Sequence, residues 1–170
     1  MTGDDLLNTT ISQVSRFIRE RQLSPVELTR ACIEQSERVD PILKAFTTMT
    51  PEYAMQRAHQ AEKEISSGKY RGPLHGIPYT LKDVISTHGI RTTFGNPRKI
   101  DFKPQESATV HVLLEEAGAV LLGKVYSHIG RGDNPVMCYS PWNPDTSPGT
   151  TSGGSGAAVA SGMGLLSIGT

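Results

Sequence analysis

The sequence predicts an α/β fold, with N-terminal helices followed by part of a mixed sheet covered by helices. Three observations predict it. Helix-start signals at Thr10-Ile11-Ser12-Gln13 and Ser24-Pro25-Val26-Glu27 open segments with apolar residues at helical spacing. The character of the chain changes at Gly72-Pro73, after which short apolar runs appear. A strand, a helix and a second strand then follow in order, the arrangement that gives parallel strands covered by a helix.

The first helix is expected after Thr10, with Ile11, Val14 and Ile18 on its apolar side. In the second, Ser24 caps, Pro25 takes the first helical position and Glu27 closes the box. Leu28, Ala31, Cys32 and Val39 turn toward a core, and Pro41 is expected to end the helix. A third helix opens at Thr50-Pro51, carries Ala54, Ala58, Ala61 and Ile65, and closes near Gly68. On this reading three helices precede any strand.

A buried strand is expected within residues 77–85. Ser107 is read as the cap of a helix with Val110, Leu113, Leu114 and Ala117 on one face. His59 and His111 are placed at the surface or boundary. Ala119-Val120-Leu121-Leu122 reads as a strand, residues 131–151 as loop, residues 155–163 as a tightly packed helix, and Leu165-Leu166-Ser167-Ile168 as a further strand.

The bulk composition narrows the function. Lys and Arg number 17, as do Asp and Glu, so a formal charge of zero gives no long-range pull toward nucleic acid or acidic membrane. No apolar stretch reaches the length of a membrane span, and no secretory leader is visible, so a cytoplasmic protein is expected. Cys32 and Cys138 have neither metal nor disulfide-framework spacing, and the histidines form no HExxH pair, so no metal or other cofactor is expected.

Three motifs are candidates for chemistry. Gly149-Thr150-Thr151-Ser152-Gly153-Gly154-Ser155-Gly156 concentrates hydroxyls and glycines ahead of Ala157-Ala158-Val159-Ala160. Glycines allow close approach of a substrate, and a helix N-terminus offers free N–H groups. A flexible Gly/Ser loop is the plain alternative. Lys82, among Leu81, Val84 and Ile85, is either a buried amine with a lowered pKa, usable as a base, or a strand-end lysine reaching solvent along its stem. Residues 118–125 resemble a phosphate loop, but Val125 replaces the required hydroxyl and the strand and helix come in the wrong order.

Read together, these segments resemble one family. Arg71-Gly72-Pro73-Leu74-His75-Gly76-Ile77-Pro78 followed by Leu81-Lys82-Asp83 resembles the lysine motif of amidase-signature enzymes. That family includes amidases and the A subunit of glutamyl-tRNA(Gln) amidotransferase. Residues 116–124 are similar to the helix and strand that follow the lysine motif. Pro141-Trp142-Asn143-Pro144, Pro148-Gly149 and the hydroxyl–glycine loop resemble the start of the signature.

The resemblance implies a Ser–Ser–Lys triad acting on the C–N bond of a small carboxamide. Lys82 matches the lysine. Thr151 falls at the bridging serine, which that family holds in a cis peptide. Ser152, Gly153 and Gly154 are implied as substrate-binding residues. The nucleophilic serine, with its oxyanion donors, is expected just beyond Thr170. Residues 1–170 thus read as the N-terminal part of one amidase-signature domain, an incomplete fold cut within the signature, with residues 1–10 a flexible N-terminus. Partner subunits are implied only for an amidotransferase-like member.

The sequence departs from the family pattern at Thr150, Thr151, Thr146 and Tyr126-Ser127-His128-Ile129-Gly130. Two functions are therefore carried forward: an amidase whose 170 residues alone are inactive, and a non-catalytic truncated or degenerate paralogue.

Overall fold

The computed structural model describes residues 9–127 and 138–170. Most of the expected flexible N-terminus and residues 128–137 therefore lie outside the described residues. Helix α1 spans Ile11–Arg19 and α2 spans Pro25–Leu43; both open with complete capping boxes, at Thr10 with Gln13 and at Ser24 with Glu27. Each box satisfies two of the N–H groups that a helix start leaves without intrahelical partners.

Pro41 does not end α2; the helix continues to Leu43 with Pro41 exposed in its last turn. The stop comes at Lys44, whose φ of 52° is left-handed. Asp40 organises the exit, accepting the main-chain N–H groups of Ala45 at 2.7 Å and Phe46 at 3.0 Å. The chain then enters a strand that the sequence pattern does not announce, β1, Phe46–Met49. Its four half-buried residues lack a clear apolar alternation, and its partner lies far along the chain.

Helix α3 spans Pro51–Ser66 and buries the expected Ala54, Ala58, Ala61 and Ile65. Strand β2 covers Pro78–Lys82, all buried. Helix α4 covers Thr109–Glu116, β3 covers Val120–Val125, α5 covers Gly153–Ala160 and β4 covers Leu166–Ile168. Ser107 does not cap α4: the N-cap is Ala108, and Ser107 Oγ instead accepts the N–H of His88 at 2.9 Å. The buried side of α4 is His111 and Leu114, whereas Leu113 faces out at 58% exposure. His111 is thus interior, while His59 is exposed as expected.

The sheet order is β1-β3-β2-β4, with β1 antiparallel to β3 and the other pairs parallel. Strand alternation, interrupted by a bulge between Tyr79 and Thr80, divides the side chains between two faces. Val120 and Leu122 pack with Val26, Cys32, Ile33, Ala54 and Ala58 of α2 and α3. Val125 packs with Ala157 and Ala158 of α5. Tyr79, Leu81 and Leu121 meet Leu114 of α4 on the other face.

Gly123 makes the β1–β3 contact possible. Its φ is +153°, and a Cβ there would stand 2.2 Å from the carbonyl oxygen of Thr48. The phosphate-loop-like residues therefore belong mostly to strand β3, and Lys124 at their end is fully buried.

Candidate active site

Lys82 is the last residue of β2 and only 2% exposed. Parallel pairing on both sides, to β3 and β4, fixes this strand end. The side chain turns toward the N-terminus of α5, where Nζ donates to Thr151 Oγ1 at 2.9 Å and Ser152 Oγ at 3.2 Å. It also reaches Thr170, with 2.7 Å to Oγ1 and 3.2 Å to the main-chain oxygen. Residues 69 and 88 positions away along the chain thus meet at one amine.

Burial lowers the Lys82 pKa below the ordinary lysine value, because it disfavours the charged form. The cover is thin. Thr151 and Thr170 are themselves exposed, so the amine lies just beneath the surface rather than at the centre of the core. A neutral amine close to solvent and within reach of a hydroxyl is chemically suited to accept a proton.

The predicted residues come together unequally. Thr151 and Ser152 contact Lys82 directly. Gly153 and Gly154 are buried at the start of α5 and pack against protein. A Cβ at Gly153 would stand 3.0 Å from Pro148 Cγ, and one at Gly154 would stand 2.5 Å from the main-chain oxygen of Tyr126. The glycines bring α5 against the end of β3, which sets where Thr151 and Ser152 stand. All peptide bonds among the described residues are trans, including that at Thr151, where the resemblance implied cis.

Sequence reasoning missed the second buried lysine. Lys124 Nζ donates to the carbonyl of Ile85, to Thr92 Oγ1 at 3.0 Å and to Thr87 Oγ1 at 3.3 Å. Burial lowers its pKa to about 8, and the Asp83 charge partly opposes that shift. Asp83 accepts the Thr93 N–H at 3.2 Å and also the Thr93 hydroxyl. Residues 83–93, which directly follow Lys82, are therefore tied at both ends. Thr87, Thr92 and Thr93 were the available signal: threonines recurring in a loop beside a strand lysine.

Beside this loop, a groove of about 500 Å³ is lined by Lys44, Phe46, Asp83, Arg91 and Ile100, among others. Arg91 is held there by Thr48 Oγ1 at 2.9 Å and by the carbonyl of Thr47. Among the described residues no group of three or more His, Cys, Asp or Glu side chains stands where it could hold a metal. No described helix is long and apolar enough to cross a membrane.

Comparison with known proteins bears on the family and the fold. The family model described as Amidase matches residues 27–170. The A subunit of the glutamyl-tRNA(Gln) amidotransferase of Dehalococcoides mccartyi is 41% identical over 172 residues, covering 98% of this chain and 35% of that protein. The native peptide amidase of Stenotrophomonas maltophilia superposes with a TM-score of 0.86 at 29% identity, over 92% of this chain and 35% of that one. A structure of fatty acid amide hydrolase superposes with a TM-score of 0.91, over 99% of this chain and 31% of that one; at 24% identity it speaks for the fold. The chain spans about a third of the length of these relatives. With the family match over most of its length, and with the same fold as those amidases, the chain belongs to the amidase family.

Proposed function

We propose that these residues form the proton-handling half of an amidase site that hydrolyses a carboxamide C–N bond. The observation that carries this reading is the buried Lys82 amine placed 2.9 Å from the Thr151 hydroxyl. An amide is a poor electrophile with a basic leaving group. A serine must lose its proton as it attacks, and the departing nitrogen must gain one.

In the proposed relay the nucleophile, expected beyond Thr170, passes its proton to Thr151 Oγ1 as Thr151 passes its own to neutral Lys82. The new C–O bond gives a tetrahedral intermediate. The proton returns from Lys82 through Thr151 to the nitrogen, the C–N bond breaks, and ammonia or an amine leaves. Water then repeats the sequence to release the acid. Threonine keeps the donor and acceptor roles of the family's serine at this position. Ser152 lines the substrate side in this reading, held there by the packing of Gly153 and Gly154 against protein, with the α5 N-terminus favouring developing negative charge.

The test is amide hydrolysis by the full chain, read as ammonia release from a panel of simple carboxamides. Lys82→Met is expected to abolish turnover while leaving the fold intact. Undiminished turnover in that variant would rule out Lys82 as the base.

The similarity to the amidotransferase protein favours a second reading, in which the same site works inside a multi-subunit assembly. Co-purification of the natural protein with stoichiometric partner subunits is expected on that reading. A lone chain that is fully active on free amides would count against it.

A further inference from the structure

Lys82 has more oxygen partners than the proposed relay uses. Two of the four are acceptors only. One is the main-chain oxygen of Thr170 at 3.2 Å. The other is Ser152 Oγ at 3.2 Å, whose own hydrogen goes to that same Thr170 oxygen at 2.9 Å and which also accepts the Thr170 N–H at 3.2 Å. The remaining two are threonine hydroxyls, Thr151 at 2.9 Å and Thr170 at 2.7 Å, the shortest contact of the set.

An ammonium brings three N–H groups to these oxygens; a neutral amine brings two and a lone pair. For Lys82 to accept a proton from Thr151, its lone pair must point at Thr151 while its N–H groups are engaged elsewhere. Ser152 and Thr170 are placed to engage them. Thr170 reaches the amine from a different element than Thr151 does. Its position follows from β4, which pairs Thr80 with Ser167 and Leu81 with Ile168 and is pinned by a 2.7 Å bond between the Thr80 and Ser167 hydroxyls. Gly169 lets the chain come close enough, since a Cβ there would stand 2.9 Å from Ser152 Oγ.

We propose that Thr170 is a positioning residue for Lys82, its hydroxyl accepting one N–H of the amine and so turning the amine toward Thr151. The proposal rests on the reading of Lys82 as the base. It assigns Thr170 a role beyond the lysine and the bridging hydroxyl, acting through Lys82 rather than on the substrate.

A hydroxyl that accepts from the ammonium stabilises the charged form. Its removal should lower the Lys82 pKa by about one unit, the shift corresponding to one lost charge-assisted hydrogen bond. The experiment is competitive acetylation of the full chain with acetic anhydride across pH. Mass spectrometry of the Lys82 peptide gives that lysine's own titration midpoint. Thr170→Val keeps the shape and removes the hydroxyl, and its midpoint is expected to fall; Thr170→Ser keeps the hydroxyl and is expected to match the wild type. In the same proteins the acid limb of the kcat/KM profile should move down with the midpoint for valine only. Should Thr170→Val unfold, Thr170→Ala carries the same expectation. A midpoint unchanged in Thr170→Val, or shifted equally in Thr170→Ser, would overturn the proposal. Labelling does not depend on turnover, so an active Lys82→Met variant would rule out Lys82 as the base while leaving the Thr170 contact to be judged separately.

Discussion

Lys82 and Lys124 sit on neighbouring parallel strands and turn to opposite faces of the sheet. Lys82 pairs with Val125 and Lys124 with Leu81, so strand alternation separates the two amines. Lys82 meets the hydroxyls at the start of α5; Lys124 meets the loop that follows β2. Both pKa values are lowered by burial. Only Lys82 lies under a thin, exposed cover where a substrate can come near, which separates the proposed base from the structural cation.

Lys124→Met is expected to lower stability by about 1–3 kcal/mol, because the Ile85 carbonyl and the Thr87 and Thr92 hydroxyls lose their donor. The wild type should also show a pH signature. With a folded pKa of about 8 against an ordinary 10.5, the unfolded state binds the Lys124 proton more tightly. Stability from this group therefore rises with pH between those values, and the penalty is complete below the folded pKa. Urea unfolding at neutral and alkaline pH checks this: the rise should be smaller in Lys124→Met.

Thr151→Ala in the full chain is expected to cost on the order of 10²–10⁴ in kcat, the usual scale of a lost proton-transfer group. Thr151→Ser should equal or exceed the wild type, since it keeps the hydroxyl and frees χ1. Thr151→Ser keeps the acceptor for Lys82 and should not move stability by more than about 0.5 kcal/mol, whereas Thr151→Ala removes it and should cost about 1 kcal/mol. Equal kcat in all three proteins would remove Thr151 from the relay.

Gly154→Ala and Gly156→Ala should separate packing from helix propensity within one helix. At Gly154 the added carbon would stand 2.5 Å and 2.6 Å from main-chain oxygen and nitrogen of Tyr126, which cannot yield as a flexible side chain would. A loss of about 1–3 kcal/mol or more is expected. At Gly156 nothing lies within 4 Å, so alanine should gain about 0.5–1 kcal/mol. Thermal unfolding of the two variants decides it, and opposite signs are the expected result.

The parts of this structure legible in the sequence are those set by local chemistry. The capping boxes at Thr10 and Ser24 use residues three apart, and both form. The parallel β2–α4–β3 unit follows from apolar runs of the right length. Pro41 misled because a proline in the last turn displaces little, and the stop depends on Asp40 and a left-handed Lys44. Strand β1 was hidden because its partner β3 lies far along the chain. His111 is interior because Tyr79 accepts or donates at its Nδ1 at 2.8 Å, a contact across 32 residues. At the candidate site, Lys82 with Thr151 was visible only through resemblance; Lys124 and Thr170 needed the register of the sheet.

The 170 residues expressed alone are expected neither to hydrolyse amides nor to stay monomeric. The two serines nearest the lysine are poorly placed to attack. Ser152 Oγ gives its hydrogen to the Thr170 main-chain oxygen, and Ser155 Oγ is buried with no hydrogen-bond partner among the described residues. The oxyanion donors are expected beyond Thr170 with the nucleophile, and missing donors alone cost on the order of 10²–10³ in rate. Self-association follows from the surface. Trp142 is 81% exposed, Ile42 60%, Leu113 58% and Ile100 52%. Strand β4 pairs with β2 on one side, and its other edge has no partner strand among the described residues. An open strand edge of this kind is a template for association. Sedimentation velocity and an ammonia-release assay test both halves. A monomer that unfolds cooperatively and turns over a simple amide, with activity lost in Lys82→Ala, would contradict the expectation and show that one of these serines can serve as the nucleophile.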